Sequence, residues 1–266
     1  MSGGGNDFVL FDNRKKILPD DYSALALKVC HRKFSVGADG ILILEEADSA
    51  DFRMVYYNAD GSRAAMCGNG ARCIARFAAL IHAAEPKMKF EADAGEISAL
   101  VGEKSVKLTL GNPKDMRLDF SLKLDDPKEF NASFINTGVP HVVVGVTDVE
   151  KISVQELGQK IRYHKNFAPE GTNANFVQQV DDHHLIVRTY ERGVEGETLA
   201  CGTGTTAAAV VFGAKKLVES PVDCLTKGGE TLRVHFSIEE VGPNKIITDV
   251  TLEGPATVSF QGEVEL

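Results

Sequence analysis

Residues 200–209 read Ala200-Cys201-Gly202-Thr203-Gly204-Thr205-Thr206-Ala207-Ala208-Ala209, and an apolar run follows through Phe212. A cysteine in a small, glycine-spaced turn ahead of such a run reads as a loop entering a buried helix. The first backbone N–H groups of a helix have no partner inside it, and its dipole is positive there. A thiol at that point ionises more readily, and a carboxylate finds waiting donors. The chain carries a second version of this turn, Met66-Cys67-Gly68-Asn69-Gly70-Ala71-Arg72-Cys73.

The two versions keep the same spacing to their surroundings. Cys201 lies 201 − 67 = 134 residues after Cys67, about half the chain. Gly37 and Gly171 each precede their cysteine by 30 (67 − 37 and 201 − 171), Asp39 and Asn173 by 28, Asn58 and Arg192 by 9. Repeated offsets suggest two similar units related by a pseudo-twofold axis. Similar strand–helix units can also share spacings by coincidence.

Working outward, alternating apolar residues predict strands at 8–11, 41–44, 52–57, 87–90, 97–101 and 106–110. In the second half they fall at 141–146, 176–179, 185–190, 232–236, 246–252 and 256–260. Helices are predicted over 20–33, from Cys67 to about residue 84, over 154–163, and after Cys201. The polar stretch 111–131 reads as the crossing between halves. The domains are placed at 1–113, completed by the strand 255–266, and at 114–254.

Bulk properties narrow the class. The 266 residues are 43% hydrophobic and 25% charged, the balance of a globular protein. A net charge of −9 without a basic patch argues against a nucleic-acid partner. No apolar run reaches the ~20 residues of a membrane helix, and no signal-peptide pattern opens the chain. Five cysteines are too few for a disulfide scaffold, which points to a reducing cytoplasm.

Two thiols on opposite faces of one carbon suit inversion of a stereocentre. One thiolate takes the α-proton and the other thiol returns one from the far side. The charge that develops spreads into the α-carboxylate, which two helix N-termini can clamp. A pseudo-twofold would turn both cysteines toward one cleft. No metal site is predicted, because no Cys-x-x-Cys pair exists. No cofactor is predicted either: the dinucleotide fingerprint is incomplete at Gly202-Thr203-Gly204, and no lysine setting signals a Schiff base. Plainer readings compete. A lone cysteine is usually a small buried hydrophobe, and Cys30, Cys73 and Cys224 are assigned so. Asn6, Asn58, Asn69 and Asn173 could each serve a turn, Glu191-Arg192 a surface pair, His141 the core and His183-His184 a solvated turn.

At these residues the chain resembles the diaminopimelate epimerases over nearly its whole length. The resemblance rests on Gly-Asn-Asp-Phe at 5–8, Gly-Ala-Asp-Gly at 37–40, Asn-Ala-Asp-Gly-Ser at 58–62 and Met-Cys-Gly-Asn-Gly-Ala-Arg-Cys at 66–73. Pro-His at 140–141, Asn173, Tyr-Glu-Arg-Gly at 190–193 and Glu-Thr-Leu-Ala-Cys-Gly-Thr-Gly at 197–204 complete it. It implies an α+β fold of two pseudo-symmetric domains, each a mostly antiparallel sheet or barrel wrapped around a central helix. It implies a cofactor-independent isomerase that interconverts L,L- and meso-diaminopimelate for lysine and peptidoglycan precursors, as a cytoplasmic homodimer. In family terms Cys67 and Cys201 are the acid/base pair, and His141 and Glu191 are auxiliary catalytic residues that sit beside the cysteines and tune them. Gly68, Asn69, Gly202 and Thr203 receive the α-carboxylate. Asn6, Asn58, Asn173, Glu191 and Arg192 hold the amino group and the distal end.

Some positions depart from the family pattern. Val139 stands where many members have Asn, and Gly40 where many have Gln. The stretch 193–197 is one residue longer than the commoner Gly-x-Gly-Glu, and few residues precede the Gly-Asn-Asp-Phe loop to form a strand. These changes allow a broadened amino-acid specificity. The rival readings are a two-thiol racemase of proline, hydroxyproline or glutamate, whose motif typically carries His in place of Asn69, and an amino-acid-binding protein without catalysis.

Overall fold

The computed structural model describes residues 1–124, 129–242 and 244–265. The chain divides into two units: Met1–Thr109 with Glu253–Leu266, and Leu110–Leu252.

In the first unit, strands β1 (Ser2–Gly3), β2 (Asn6–Asp12), β3 (Gly40–Glu45), β4 (Phe52–Asn58), β5 (Lys87–Ala92), β6 (Gly95–Val101) and β7 (Ser105–Thr109) are hydrogen-bonded in that order. Helix α1 (Tyr22–Val29) crosses from β2 to its parallel neighbour β3, and α2 (Gly68–Leu80) from β4 to its parallel neighbour β5. β3 is buried along Gly40-Ile41-Leu42-Ile43-Leu44, as a strand covered on both faces must be. Ile41 and Ile43 pack against Leu25, Ala26 and Val29 of α1. Leu42, pointing the other way, comes within reach of the first turn of α2 at Gly70.

The second unit contains β8 (Lys114–Lys123), β9 (Glu129–Asn136), β10 (Pro140–Gly145), α3 (Val154–Arg162), β11 (Asn173–Gln179), β12 (His184–Glu191), β13 (Gly196–Thr198), α4 (Gly202–Ala214), β14 (Val222–Thr226), β15 (Thr231–Val241) and β16 (Asn244–Pro255) up to Leu252, the last three residues of β16 being counted with the first unit. Its sheet runs β16-β15-β14-β12-β11-β10-β9-β8, with β13 on β12. Helix α3 covers one face, against Val142, Val144, Ala174, Phe176 and Tyr190. Helix α4 fills the other, among Val143, Val177, Val187, Val222, Val234 and Leu252. Nearly every α4 side chain from Gly204 to Ala214 is buried, so it is a core helix and not an amphipathic one.

The units share one plan. The pairings β2∥β3, β3 antiparallel to β4, β4∥β5 and β5 antiparallel to β6 recur as β10∥β11, β11 antiparallel to β12, β12∥β14 and β14 antiparallel to β15. Phe8 pairs Gly40 and Val142 pairs Ala174, each 134 apart (8 + 134 = 142, 40 + 134 = 174). The helices Gly68–Leu80 and Gly202–Ala214 are also 134 apart at both ends (68 + 134 = 202, 80 + 134 = 214). One spacing does not carry over. Gly40 pairs Asn58, but Ala174 pairs Tyr190, two residues short of Arg192 (58 + 134 = 192). The connector from β12 to α4 is longer and holds the added strand β13, so Asn58 and Arg192 are not counterparts in the sheets.

The crossing assigned to 111–131 is largely strand. Met116, Leu118, Phe120 and Leu122 alternate along β8 with polar residues, a period-2 pattern that outweighs the polar composition. Residues 125–128 of that stretch lie outside the described residues. The helix predicted over 20–33 stops at Val29, because the next turn folds back through Gly37 N–H to the Val29 carbonyl (3.0 Å) and Arg32 is drawn to Asp7 and Asp39. The helix from Cys67 stops at Leu80, where His82 takes a left-handed φ of 54°. The strand predicted at 256–260 is absent. β16 ends at Pro255, and Thr257 keeps a single bridge to Ser2. The short stretch before the Gly-Asn-Asp-Phe loop still forms a strand, β1 on β2. Among the described residues, no helix is long and apolar enough to cross a membrane.

Candidate active site

Cys67 is the N-cap of α2, with an extended backbone (φ −141°, ψ 120°) and its Sγ accepting from Gly70 N–H at 3.5 Å. Its side chain thus sits at the positive end of the helix, beside N–H groups that the helix cannot satisfy. Asn69 follows inside the first turn and is buried. Its Oδ1 accepts from Arg72 Nη2 (2.7 Å), and its Nδ2 donates to Asn6 Oδ1 (2.9 Å) and to the Gly4 carbonyl (3.4 Å). The Asn69 amide is therefore consumed by the protein, and what Asn69 can offer an anion is its backbone N–H. Gly68 has no atom within 4 Å of a Cβ position, so the mouth of this turn is open.

Asn6 passes the network on: its Nδ2 donates to Asp39 Oδ2 (2.9 Å), and Asp39 Oδ1 accepts from Arg32 Nη2 (2.7 Å). Arg32 also holds Asp7 by two bonds, at 2.9 and 2.7 Å, and keeps that carboxyl below the usual carboxylate range. Asn58 lies at the end of β4, where Tyr56 Oη donates to its Oδ1 (2.5 Å) and its Nδ2 donates to Ser62 Oγ (3.0 Å). Asn58 therefore serves its own turn, closed by Gly61 at φ 79°, as well as any ligand. Gly40 has no room for a side chain: a Cβ would lie 2.5 Å from the Tyr57 carbonyl oxygen and 2.7 Å from the Tyr56 ring.

Cys201 caps α4 in the same extended conformation (φ −121°, ψ 108°) and is buried. Its Sγ lies 3.5 Å from Thr203 Oγ1. The Thr203 carbonyl is fixed by Thr137 Oγ1 (3.0 Å), and the Gly202 carbonyl by Thr206 Oγ1 (2.9 Å). Glu191, at the end of β12, faces Thr198 and the Cys201 thiol. Burial pushes its carboxyl above the usual range, and those two contacts oppose the rise. A carboxyl made more basic beside a thiol is a ready proton acceptor for it.

His141 and Asn173 are paired across the parallel strands β10 and β11. Asn173 Nδ2 donates to the Pro140 carbonyl (2.9 Å), and its Oδ1 accepts from Arg192 N–H (2.8 Å), which fixes the chain just after Glu191. Arg192 Nη1 donates to the Glu170 carbonyl (3.3 Å). His141 is wholly buried, and burial first, then the charge of Arg192, holds its imidazole down to about 3. It is a neutral ring at any physiological pH and cannot act there as an imidazolium acid.

The first unit therefore gathers Asn6, Asn69, Gly68 and Cys67 around one helix start, with Asn58 on the neighbouring strand end. The second gathers His141, Asn173, Glu191, Arg192, Cys201, Gly202 and Thr203 around the other. Cys30, Cys73 and Cys224 are buried, and burial raises Cys30 to about 11 and Cys224 further. His183 and His184 are exposed beside Asp181. Sequence reasoning missed Tyr56, Arg72 and Asn175. Strand alternation puts Tyr56 on the face of Asn58 and Asn175 on that of Asn173, and helical spacing puts Arg72 over Asn69. Those periodicities were the available signal.

A sequence model described as diaminopimelate epimerase matches residues 1–115 and 133–254. The chain is 42% identical to the diaminopimelate epimerase of Aquifex aeolicus, over 99% of this chain and 96% of that one. It is 40% identical to the diaminopimelate epimerase of Chlorobaculum tepidum over the full length of both. Among solved structures, a probable proline racemase from Agrobacterium radiobacter superposes with a TM-score of 0.66 at 16% identity, covering 94% of this chain and 82% of that one. That likeness speaks for the fold alone.

Proposed function

Because the chain belongs to the diaminopimelate epimerase family and is an isomerase, we propose that it interconverts L,L- and meso-diaminopimelate with Cys67 and Cys201 as its two acid/base groups. One observation carries the reading: both cysteines cap equivalent thirteen-residue helices, 134 residues apart, at the same position of a repeated plan.

In one direction a thiolate abstracts the α-proton, and the electron pair left on carbon delocalises into the α-carboxylate. The other thiol then delivers its own proton to the opposite face, and the reverse reaction exchanges the roles. Backbone N–H groups at Gly68, Asn69, Gly202 and Thr203 stabilise the carboxylate as its charge grows, since they are fixed in advance by the helices. Glu191 takes up the Cys201 proton when that thiol must become the base. Asn6, Asn58, Asn173 and Arg192 define where the amino group and distal end lie, and a guanidinium suits the second carboxylate. No external cofactor enters this chemistry. The product serves lysine and cell-wall precursor synthesis in the cytoplasm, and the working form is a homodimer.

Val139 replaces a polar distal contact, so the substrate range is set less tightly at that end. The test is a panel of α-amino acids scored for inversion, with L,L-diaminopimelate included. Diaminopimelate should be inverted fastest, and Cys67→Ala and Cys201→Ala should each lower the rate on the order of a thousandfold or more. Full activity in either variant would remove that thiol from the mechanism.

A further inference from the structure

Asn175 stands behind His141 in the second unit. It is fully buried on β11, and no reading of the sequence assigned it a role. Its Nδ2 donates to the Val142 carbonyl (2.9 Å), and its Oδ1 accepts from Thr189 Oγ1 (2.9 Å). A peptide carbonyl can only accept, so these two bonds fix which end of the amide carries the hydrogens. The remaining amide hydrogen is left for His141 Nδ1, which lies 3.2 Å from Asn175 Nδ2. Nδ1 must then accept, and the neutral ring carries its proton on Nε2.

His141 Nε2 is buried and has no hydrogen-bond partner among the described residues. An orphaned buried donor costs free energy until a water or a ligand takes its hydrogen. The arrangement also touches the cysteine turn. The position of a Cβ on Gly204 lies 2.4 Å from Asn175 Oδ1, 3.2 Å from Thr189 Oγ1 and 3.3 Å from Cys201 Sγ. Asn175 is thus packed against the first turn of α4.

We infer that Asn175 is a positioning residue that, backed by Thr189, locks His141 as its Nε2–H tautomer and so supplies a fixed, uncharged donor to a carboxylate of the substrate. This rests on the two-thiol reading. A neutral donor suits that task, because it grips the anion without giving up its own proton to a thiolate.

Nitrogen NMR of protein labelled with ¹⁵N-histidine tests it, with the His141 signals identified by their loss in His141→Gln. The wild type should show a bare Nδ1 and a protonated Nε2, and diaminopimelate should shift the Nε2 proton as it gains a partner. Asn175→Asp places a carboxylate at Nδ1, so the proton should move there. KM for diaminopimelate should then rise roughly tenfold or more while kcat falls less. Thr189→Ser, which keeps the hydroxyl, should retain the wild-type tautomer and KM. A wild-type ring protonated on Nδ1, or an Nε2 signal unmoved by substrate, overturns the inference even if Asn175→Asp does not fold. So does a folded Asn175→Asp with wild-type KM. Wild-type turnover is measured in the same samples: its absence would remove the two-thiol reading and leave the tautomer result standing.

Discussion

At the residue scale, the side chains around each cysteine are held before any ligand arrives. Asn69 spends its amide on Arg72, Asn6 and Gly4, and Asn173 spends its own on Pro140 and Arg192. The residue types at these positions were legible from the motifs. Their bonds were not, because hydrogen bonds between residues as far apart as Asn6 and Asn69 leave no local periodicity. His141 gives a measurable consequence. Its folded value of about 3 lies below the unfolded 6.5, so below about pH 6.5 the unfolded chain binds a proton that the folded chain refuses. Stability is therefore lost as pH falls from 6.5 toward 3, by roughly 2 kcal/mol at pH 5. Glu191 works the other way: its raised carboxyl gives stability that is present below its unfolded value and lost as pH rises through the folded one. The comparison with His141→Gln isolates the histidine. Urea unfolding at pH 7 and pH 5 should show the wild type losing more stability than the variant, and parallel losses would contradict the assignment.

At the element scale, two helices of equal length begin at cysteines, and their first turns differ in tightness. A Cβ at Gly68 meets nothing, whereas one at Gly204 would lie 2.4 Å from Asn175 Oδ1 and 3.3 Å from Cys201 Sγ. Gly68→Ala should therefore fold at least as stably as wild type, by up to about 1 kcal/mol, because alanine is the better helix residue. Gly204→Ala should cost about 1–3 kcal/mol through overpacking and should lower turnover by displacing the thiol. Thermal melts and epimerisation rates of the two variants check this, and equal stability would show that the Gly204 turn yields freely. The glycine spacing was readable in the sequence, but the crowding at one of the two turns depends on β11 and β12, which lie far from it in the chain. β8 shows the converse: its alternation was present in Met116, Leu118, Phe120 and Leu122, and polar neighbours obscured it.

At the scale of the whole molecule, the repeat was legible because register is stored as sequence separation, and the 134-residue offset survives in β2/β10, β3/β11 and α2/α4. The break in that offset at Arg192 was not legible, since β13 only declares itself by pairing with β12. The C-terminal segment belongs with the first unit through specific bonds. Glu253 accepts from the Ser105 hydroxyl and pairs with Lys107 (3.6 Å), the Pro255 carbonyl accepts from buried Arg72 (3.3 Å), and Ser2 and Thr257 exchange two backbone bonds of 2.8 Å. Removing residues 253–266 takes away a partner of a buried guanidinium and should destabilise the first unit by about 3 kcal/mol or more. Hydrogen exchange should then quicken in β2 and α2 before β11 and α4, and uniform protection would contradict this. The central claim, that two different thiols serve the two faces of one carbon, is tested most directly by starting from L,L-diaminopimelate in deuterated water and analysing early turnover. The account predicts that the meso product carries deuterium at the inverted α-carbon while the remaining substrate carries almost none. Product that retains the substrate's own α-hydrogen, or deuterium entering substrate as fast as product, would contradict it.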